Sequence, residues 1–543
     1  MPSTLGITLA GTFDSQFDPD AIAFLGAAGL TDAATCYAIN NLVTGLKLNG
    51  LWTKMQAIYP FAGSTATTHK WNLKNPLDTN AAYRLSFSGG WTHASTGATP
   101  NGTNAFASTF YTYAAVTTND SHLSYYSRTQ STPNVSQSRY PVEIGGDPST
   151  TGPVRQFEIQ IAQDIAPNTA FIAFQYSNPA QPGQINGLIG VVGTDSTGFY
   201  VSTRTSSTSF KVFKNGAQFG TTNTTTNTYS MSGLTGTTIQ LAKGPGGSYS
   251  NRQVAFASIG LGLSDAESVI FSSLVQRYQN ALSRAIVAIP TVQDLDAQNF
   301  LVAAGITDST QAQAVQNLTA GLKYYSLWSK MQAAYPFVGG TSTTQKFNLK
   351  SPFDADASFR LTFSGGWTHS TNGALPNGTN GFANTFYIPN TSGSQNDAHA
   401  SLYLRTNTAV NVKDFGASQG SPTRQTYIGA RDASNAQAWG LNSGSVDVGS
   451  QANSQGLWTV TRSDATSVLG YKNGTLLNTN ALPSTGQNTV AYYISAFNNN
   501  GTAGQFSNRQ VAFGSIGTGL SGTDLTNLYT VVQAYQTALS RQV

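Results

Sequence analysis

The sequence predicts a mainly β protein built from two tandem antiparallel β-sandwich domains, each with N-terminal helices and a closing C-terminal helix. Long sequence blocks occur twice, which indicates a duplicated domain. Within each copy, helical periodicity gives way to short alternating segments separated by turn residues. Charged residues make up only 10% of the chain, and a neutral, turn-rich composition is typical of a rigid β protein.

The duplication sets the domain organisation. The block GLKLNGLWTKMQAIYPF at Gly45–Phe61 returns as GLKYYSLWSKMQAAYPF at Gly321–Phe337. This period is too long for a solenoid repeat, so each copy should be a complete domain. We therefore expect a first helical-plus-sandwich domain over residues 1–289 and a second over 290–543.

Each copy begins with a helical pattern. Apolar residues recur at helical spacing through 18–61, and Gly29 is a stop signal between two helices. We expect Thr31 or Asp32 to cap the second helix, and Thr307 to cap its counterpart. The same spacing predicts helix as far as the proline that precedes residue 61.

Alternating segments follow the helices. YRLSFSGGW alternates in the first copy, and HLSYYSR, FEIQIA, TAFIAFQY and GLIGVVG are further predicted strands. Asn215-Gly216 and Asn473-Gly474 each predict a tight hairpin, because both residues of a type I′ turn need positive φ.

A helix closes each copy. Ser264 and Ser521 are the predicted N-caps of these two helices, and we expect Glu267 to complete a capping box in the first copy only. Between about residues 113 and 250 the two copies differ in length and sequence. Length changes fall in loops, so this region could give the two domains different neighbours, although drift of unconstrained loops would look the same.

Three segments recur in the closing part of each copy: Lys214-Asn215-Gly216, Arg252–Gly260 and Leu263–Glu267 in the first, and Lys472-Asn473-Gly474, Arg509–Gly517 and Leu520–Asp524 in the second. With these segments, the closing part of each copy resembles the concanavalin A-like, laminin G-like jelly-roll modules of bacteriophage virion proteins, and the preceding strands match them loosely. The resemblance implies a two-sheet sandwich with either glycan recognition or a purely structural role.

Charge and hydropathy exclude several partners. The net charge is +4 and the chain contains no run of Lys or Arg, so we expect no nucleic-acid partner. No stretch approaches 18 consecutive apolar residues, so we expect no membrane insertion. The first residues, MPSTLGITLAGTF, lack the basic start of a signal peptide.

Catalytic residues are scarce. Most glycosidases need two positioned carboxylates, and the glutamates of the chain all lie in the first copy, at Glu143, Glu158 and Glu267. The pair Asp354 and Asp356 has Asp78 and Asn80 as its first-copy equivalents, so this carboxylate pair does not recur. The sequence therefore predicts that the protein is not an enzyme.

Metal-ligand spacing is also missing. The histidines His93 and His122 recur as His369 and His399, but His69 aligns with glutamine. No carboxylate or cysteine stands at zinc-like spacing from them, and no Asp-rich loop marks a calcium site. We expect no cofactor and no metal, and we expect the lone Cys36 to be a small buried helical residue.

The best candidate for a contact surface is the GGWTH block with the PNGTN segment after it, which both copies contain. Its candidate residues are Trp91, His93, Asn101, Asn104, Trp367, His369, Asn377 and Asn380. An aromatic face with amide groups suits a glycan, and the same residues suit a protein partner. The alternative is that the tryptophan packs at a strand end and PNGTN forms a tight turn.

Together these observations favour a non-enzymatic bacteriophage virion structural protein, as a head decoration, fibre or tail-associated component. We expect it to assemble in the host cytoplasm as a homo-oligomer, with other virion proteins as partners and the virion as its location. The alternative function is a glycan-binding adhesin that attaches the particle to a surface glycan of the host envelope.

Overall fold

A computed structural model describes residues 17–130, 142–146, 154–161, 170–178, 191–192, 195–224, 226, 231, 234–244, 247–286, 289–419, 424–444 and 446–543. The chain divides into two compact units, Met1–Ala288 and Ile289–Val543, called here the first and the second domain. The predicted strand GLIGVVG lies partly outside the described residues, and so do the first 16 residues.

The first domain has two N-terminal helices, one short helix and a closing helix. These are α1 (Pro19–Ala28), α2 (Ala33–Leu48), α3 (Ala66–His69) and α4 (Asp265–Ala281). Asp32 caps α2, because its carboxylate accepts the backbone N–H of Thr35 at 2.9 Å. Of the two cap residues that the sequence offered, the structure therefore selects the aspartate.

The predicted helix up to residue 60 is wrong in its last part. Helix α2 ends at Leu48, Gly50 has a φ of 69°, and a 3-10 turn leads into strand β1 (Met55–Tyr59). Three consecutive residues of this strand are buried, so its apolar run satisfies a helical pattern as well as a strand. Pairing with the last strand of the domain decides between the two.

Fourteen further strands of the first domain are described. They are β2 (Ser86–Ser88), β3 (Trp91–Ala94), β4 (Gly97–Pro100), β5 (Phe106–Thr112), β6 (Ser121–Ser127), β7 (Ile144–Gly146), β8 (Val154–Gln160), β9 (Ala170–Asn178), β10 (Val191–Val192), β11 (Gly198–Ser206), β12 (Ser209–Lys214), β13 (Ala217–Gln218), β14 (Thr238–Leu241) and β15 (Val254–Gly260).

These strands form two antiparallel sheets. The helix-side sheet has the order β13-β12-β11-β6-β15-β4-β3, with β1 also paired to β15, and the outer sheet has the order β10-β9-β8-β7-β14-β5-β2. Their facing sides share one core, to which Leu123 and Ile259 contribute from the first sheet and Ile144 and Phe157 from the second. This is a β-sandwich.

Helix α4 covers the other face of the helix-side sheet. Phe271 of the helix lies edge-on to Phe199 of β11 and Phe256 of β15, at centroid distances of 5.3 and 5.9 Å. Strands β6 and β15 are therefore buried at every residue. Burial on both faces explains why these strands lack the strict polar alternation of a half-exposed strand.

The second domain repeats this architecture. Its helices are α5 (Leu295–Ala304), α6 (Ser309–Tyr324), α7 (Ser342–Gln345), α8 (Pro389–Ser392) and α9 (Gly522–Ala538). Its strands are β16 (Met331–Tyr335), β17 (Thr362–Ser364), β18 (Trp367–Ser370), β19 (Gly373–Pro376), β20 (Phe382–Asn384), β21 (Ala398–Leu404), β22 (Phe415–Gln419), β23 (Arg424–Gly429), β24 (Ala436–Ser443), β25 (Val446–Ser450), β26 (Gly456–Arg462), β27 (Val468–Lys472), β28 (Thr475–Asn480), β29 (Tyr493–Ile494), β30 (Phe497–Asn499), β31 (Thr502–Gly504) and β32 (Val511–Gly517).

The helix-side sheet of the second domain has the order β18-β19-β32-β21-β26-β27-β28, with β16 also on β32. Its outer sheet has the order β17-β20-β29-β22-β23-β24-β25, and the β30-β31 hairpin joins β22. Only the β22–β30 contact is parallel among the described pairs of this domain. The predicted fold class, a mainly β chain of antiparallel sandwiches with few helices, is confirmed.

Two predicted helix caps need correction. Helix α6 is capped by Asp308, whose carboxylate accepts the Gln311 N–H at 2.8 Å, and not by the preceding threonine. The closing helix α9 has a complete capping box, because Asp524 plays the part that Glu267 plays in α4. Aspartate at this position is one methylene shorter than glutamate but still reaches the N-cap backbone.

Both predicted hairpins are confirmed. Asn215 and Gly216 have φ values of 51° and 86°, and Asn473 and Gly474 have values of 51° and 74°, as a type I′ turn requires. Cys36 is buried in α2, as predicted. Within the described part of the chain, no helix combines the length and the apolar character needed to cross a membrane.

Candidate functional site

The predicted contact residues lie where the edges of the two sheets meet. Strand β2 is the edge of the outer sheet and β3 is the edge of the helix-side sheet. Strand β3 pairs with β4, so that Trp91 is opposite Pro100 and His93 is opposite Ala98. The site is therefore at an open side of the sandwich, where the core meets solvent.

Trp91 bridges the two sheets. Its indole N–H lies 3.1 Å from the carbonyl oxygens of both Ser88 and Phe106, which belong to the outer sheet. Its ring packs against the edge of Phe87 at 5.2 Å and stacks on His93 at 6.2 Å. The tryptophan is half-buried, and its polar atom is used within the fold.

Asn101 and Asn104 build the turn after β4. The side-chain oxygen of Asn101 accepts the backbone N–H groups of Thr103, Asn104 and Ala105 at 3.0–3.1 Å. Its amide donates to Asn104 Oδ1 at 2.8 Å, which also accepts the Gly90 N–H at 3.1 Å. The two amides therefore hold the β2–β3 turn against the β4 turn.

Gly89 is required at this corner. Its φ is 74°, and a Cβ atom there would lie 2.2 Å from the carbonyl oxygen of Asn104. A side chain would meet both backbone strain and a backbone atom that cannot move freely. The glycine pair of the GGWTH block is thus a packing requirement of the asparagine turn.

The second domain contains the same corner. Trp367 Nε1 lies 3.0 Å from the Ser364 carbonyl and 3.3 Å from the Phe382 carbonyl. Asn377 Oδ1 accepts three backbone N–H groups, and its amide donates to Asn380 Oδ1 at 2.8 Å. The tryptophans and asparagines of both domains occupy the strand-end and tight-turn positions of the structural alternative. Their role in binding a glycan or partner stays a prediction.

The matched histidines of the block have different partners. His93 Nδ1 lies 2.9 Å from Nδ1 of His69, whereas His369 Nδ1 lies 2.6 Å from Oε1 of Gln345. Burial lowers the pKa of both His93 and His369. The partner of this histidine therefore differs between the domains: it is the last residue of the short helix, His69 in α3 and Gln345 in α7.

The second pair of matched histidines is fully enclosed. His122 Nδ1 donates to the Leu261 carbonyl at 2.6 Å and its Nε2 lies 2.9 Å from Ser258 Oγ, which contacts Ser124 Oγ at 2.7 Å. His399 has the same three contacts with Thr518, Ser515 and Ser401. Burial lowers the pKa of each histidine to about 4, so both are neutral near pH 7, with their ring nitrogens bonded within the fold.

Each domain also contains a buried ion pair that the sequence reading missed. Arg252 Nη1 lies 2.8 Å from Glu143, and both side chains are 0% exposed. Arg509 Nη1 lies 2.7 Å from Asp414, and these side chains are 0% and 1% exposed. The buried carboxylate is thus a glutamate in the first domain and an aspartate in the second.

The repeated SNRQVAF block contained the signal for this pair. Its serine and arginine both contact the carboxylate: Ser250 Oγ lies 3.2 Å from Glu143, and Ser507 Oγ lies 2.7 Å from Asp414. The carboxylates stand in the divergent middle of the copies, where alignment is lost. A buried arginine needs a partner, so the arginine that recurs in both copies of this block indicates a buried carboxylate in each domain.

A second arginine fixes the end of each closing helix. Arg284 donates to the Pro60 carbonyl at 2.7 Å and to the Ala255 carbonyl at 2.9 Å. Arg541 makes the same contacts with Pro336 and Ala512. These guanidinium groups tie the helix end to the YPF segment and to the last strand.

The remaining glutamates have structural partners. Glu267 accepts from Lys54 Nζ at 2.6 Å and from the Ser264 N–H at 2.8 Å. Glu158 is buried in β8 and accepts from Gln160 at 2.7 Å. Neither geometry offers the open carboxylate pair that glycoside hydrolysis needs.

Asp354 and Asp356, the aspartates that the sequence reading singled out, are also paired with cations. Arg360 contacts Asp356 at 2.8 Å and Asp354 at 3.4 Å, and Lys346 forms an ion pair with Asp354. In the described residues no group of three or more His, Cys, Asp or Glu side chains could hold a metal ion.

A groove of about 190 Å³ adjoins the block in the second domain. It is lined by Ser342, Thr343, Lys346, Arg360, Leu361, Thr362 and Phe363. The Phe363 ring lies 4.6 Å from His369 and 5.1 Å from Trp367. The groove therefore combines an aromatic ring, hydroxyl groups and two cations beside the predicted contact residues.

No protein-family model matches the chain, and no curated protein matches it. Solved structures are similar at low identity. Domain 4 of AbnA, an extracellular arabinanase from Geobacillus stearothermophilus, in complex with arabinotriose, is 17% identical with a TM-score of 0.27; the match covers 37% of this chain and 98% of that one.

Two further structures match a smaller share of their own length or of this chain than the arabinanase domain does. A mutant Trypanosoma rangeli sialidase with trans-sialidase activity is 11% identical with a TM-score of 0.29, over 41% of this chain and 39% of that one. The Ruminococcus gnavus IT-sialidase CBM40 bound to α2,3 sialyllactose is 12% identical with a TM-score of 0.21, over 25% and 83%. At these TM-scores, the fold assignment rests on the sheets of this chain and not on these structures.

Proposed function

We propose that the chain is a non-enzymatic structural protein of a bacteriophage particle, built from two lectin-like sandwich domains. One observation carries the non-enzymatic part of the proposal: each domain uses a buried histidine, a buried carboxylate and buried arginines at matching positions to hold the fold together. His122, Glu143 and Arg284 represent this set in the first domain, and all three are buried. The resemblance of the closing segments to virion modules supports the particle as the location.

The corner residues support a structural role as well. The indole N–H of Trp91 and the side-chain oxygens of Asn101 and Asn104 already have partners within the fold. A sugar that used these atoms would have to displace hydrogen bonds that stabilise the sheet edge. A protein partner could contact the half-exposed rings and leave these bonds intact.

Glycan binding is the second candidate, and the groove beside Phe363 favours it. Sugars combine apolar ring faces with hydroxyl groups, and the groove offers an aromatic ring with Ser342 and Thr343 beside it. At about 190 Å³ it is smaller than the 300–1,000 Å³ of drug-sized sites. The ligand class would be a single sugar residue of a surface glycan.

Mass spectrometry of gradient-purified particles tests the structural proposal. The particles should come from cells that carry the gene of this chain, and the expected result is a fixed stoichiometry relative to the other particle proteins. Absence of the chain from such particles would contradict the proposal, whatever the chain binds.

A glycan array probed with the purified chain tests the second candidate. Saturable binding that is lost with Ser342→Ala plus Thr343→Val would support a glycan site. Thr67→Val, at the position in the first domain that matches Thr343, is the control. No binding at any concentration would leave the structural role as the function of the chain.

A further inference from the structure

The first domain has a histidine pair that the second domain lacks. His69 is the last residue of α3 and is 1% exposed. Its Nε2 lies 3.1 Å from the Gly63 carbonyl, and its Nδ1 lies 2.9 Å from His93 Nδ1 on β3. The pair joins the short helix to the edge strand of the helix-side sheet.

The hydrogen bonds determine the proton positions. A carbonyl can only accept, so Nε2 of His69 must have its proton towards Gly63. A neutral His69 then has a lone pair on Nδ1, and His93 Nδ1–H is the donor of the bond between the rings. A second proton on His69 turns its Nδ1 into a donor, so the present arrangement is lost unless His93 moves its own proton from Nδ1 to Nε2. It also places a charge on a side chain that is 1% exposed.

The second domain makes the same joint without a titratable group at this position. Gln345 Oε1 accepts from His369 Nδ1 at 2.6 Å, and its amide donates to the Ser370 carbonyl at 2.9 Å. A primary amide keeps one acceptor and two donors at every physiological pH. The joint of the second domain is therefore insensitive to a proton on residue 345.

The surroundings of His69 oppose its protonation. Arg284 faces it from the end of the closing helix, His93 faces it from β3, and Phe61 lies edge-on at 5.4 Å. Lys70, the next residue, is paired with Asp78. Burial, together with the charges of His93 and Arg284, lowers the pKa of His69 to about 4 despite the Gly63 bond.

We propose that the His69–His93 bond is an acid-sensitive joint that loosens the first domain at low pH, and that the matched Gln345–His369 joint does not respond to acid through residue 345. The unfolded chain binds a proton at an ordinary histidine near pH 6.5, and the folded first domain does not. The contribution of His69 to the stability of the first domain is therefore fully present above pH 6.5 and is lost as the pH drops towards 4.

Reciprocal substitutions in the full chain test the proposal. His69→Gln copies the arrangement of the second domain, and Gln345→His copies that of the first. Calorimetric unfolding between pH 7 and 4.5 should show about one fewer proton taken up when the first domain of His69→Gln unfolds. One fewer proton means that the unfolding equilibrium constant of the first domain changes tenfold less per pH unit in the variant than in the unmodified chain.

The Gln345→His variant should show the opposite shift in the second domain. NMR of the histidine-labelled chain measures the tautomer of each ring, which a loss of stability alone does not report. At pH 7, His69 should be protonated at Nε2 and His93 at Nδ1. An unchanged pH dependence in both variants would overturn the proposal. A His69 tautomer protonated at Nδ1 would also overturn it.

Discussion

The two domains agree wherever a polar group holds the sandwich together, and they differ in a few of the residues that supply it. Each has the tryptophan bridge, the asparagine turn, the enclosed histidine and the buried arginines. The partner of the first arginine is Glu143 in one domain and Asp414 in the other, and His69 is replaced by Gln345.

The replacements of Glu143 by Asp414 and of His69 by Gln345 show which feature of each contact the fold requires. A carboxylate one methylene shorter still meets the arginine, because the backbone of the divergent middle brings it close enough. A glutamine replaces a histidine because the joint needs an acceptor for an imidazole N–H and donors for carbonyls. The geometry of the contact is kept, and the residue that supplies it can change.

The buried ion pairs give the largest expected effect. Arg252→Met and Arg509→Met would each leave a buried carboxylate without its cation, at a cost of about 3–5 kcal/mol. Chemical denaturation of the two variants should show equal losses, each in its own domain. Lys211→Met is the control, since its partly exposed pair with Asp265 is worth at most about 1 kcal/mol. If either arginine variant lost less unfolding free energy than the Lys211→Met control, the two buried pairs would not have equivalent roles.

Substitution of the corner glycine comes next. Gly89→Ala combines a left-handed φ with a Cβ placed 2.2 Å from a backbone oxygen, for a cost of about 3 kcal/mol. Gly29→Ala is the control, because Gly29 also has a positive φ, of 65°, but no atom lies within 4 Å of its Cβ position. It should cost only about 1 kcal/mol. Equal melting temperatures for the two variants would show that the corner is not tightly packed.

Acid should weaken both domains through the enclosed histidines. The pKa values of His122 and His399 are about 4 in the folded chain, below the ordinary 6.5, so the unfolded state binds more protons between these values. Each domain should lose about 2–3 kcal/mol between pH 7 and pH 4.5 from this group. Hydrogen exchange of peptides from each domain, corrected for the intrinsic rate, measures the loss. Equal protection at both pH values would contradict the assigned burial.

The asparagine turns give the smallest effect. Asn101→Ala or Asn377→Ala removes the acceptor of three backbone N–H groups. Water can replace part of it at this exposed turn, so we expect a loss of about 1–2 kcal/mol. Thermal shift assays should give similar changes for the two variants. Asn→Asp at either position should restore only part of the stability, because it keeps the acceptor of the backbone N–H groups but loses the amide donor. If only one domain responds, the corners are not equivalent.

Much of the scaffold could be predicted from local sequence. Asn215-Gly216 forms its turn because asparagine and glycine tolerate the positive φ that a type I′ turn requires. Ser264 caps its helix for an equally local reason, since its side chain accepts a backbone N–H of the first turn. The strand at Met55–Tyr59 could not be distinguished from helix, since a strand of five residues that is buried at three consecutive positions shows no alternation. Only the long-range pairing with β15 separates the two.

The site was predictable in position but not in its contacts. Trp91 and Asn101 stand in a repeated block, which marked them as important. Whether their polar atoms face solvent or the fold depends on the approach of β2 and β5, which are distant in sequence from one another. The partner of Arg252 could not be predicted from the repeat, because Glu143 lies in the region where the two copies no longer align.

The measurement that tests the central claim most directly is a cryo-electron-microscopy map of the intact particle produced by cells that carry this gene. The account predicts that both sandwich domains occupy repeated positions in the particle, with Trp91 and Trp367 still bonded across their sheet edges. A particle that contains no copy of the chain would contradict the claim.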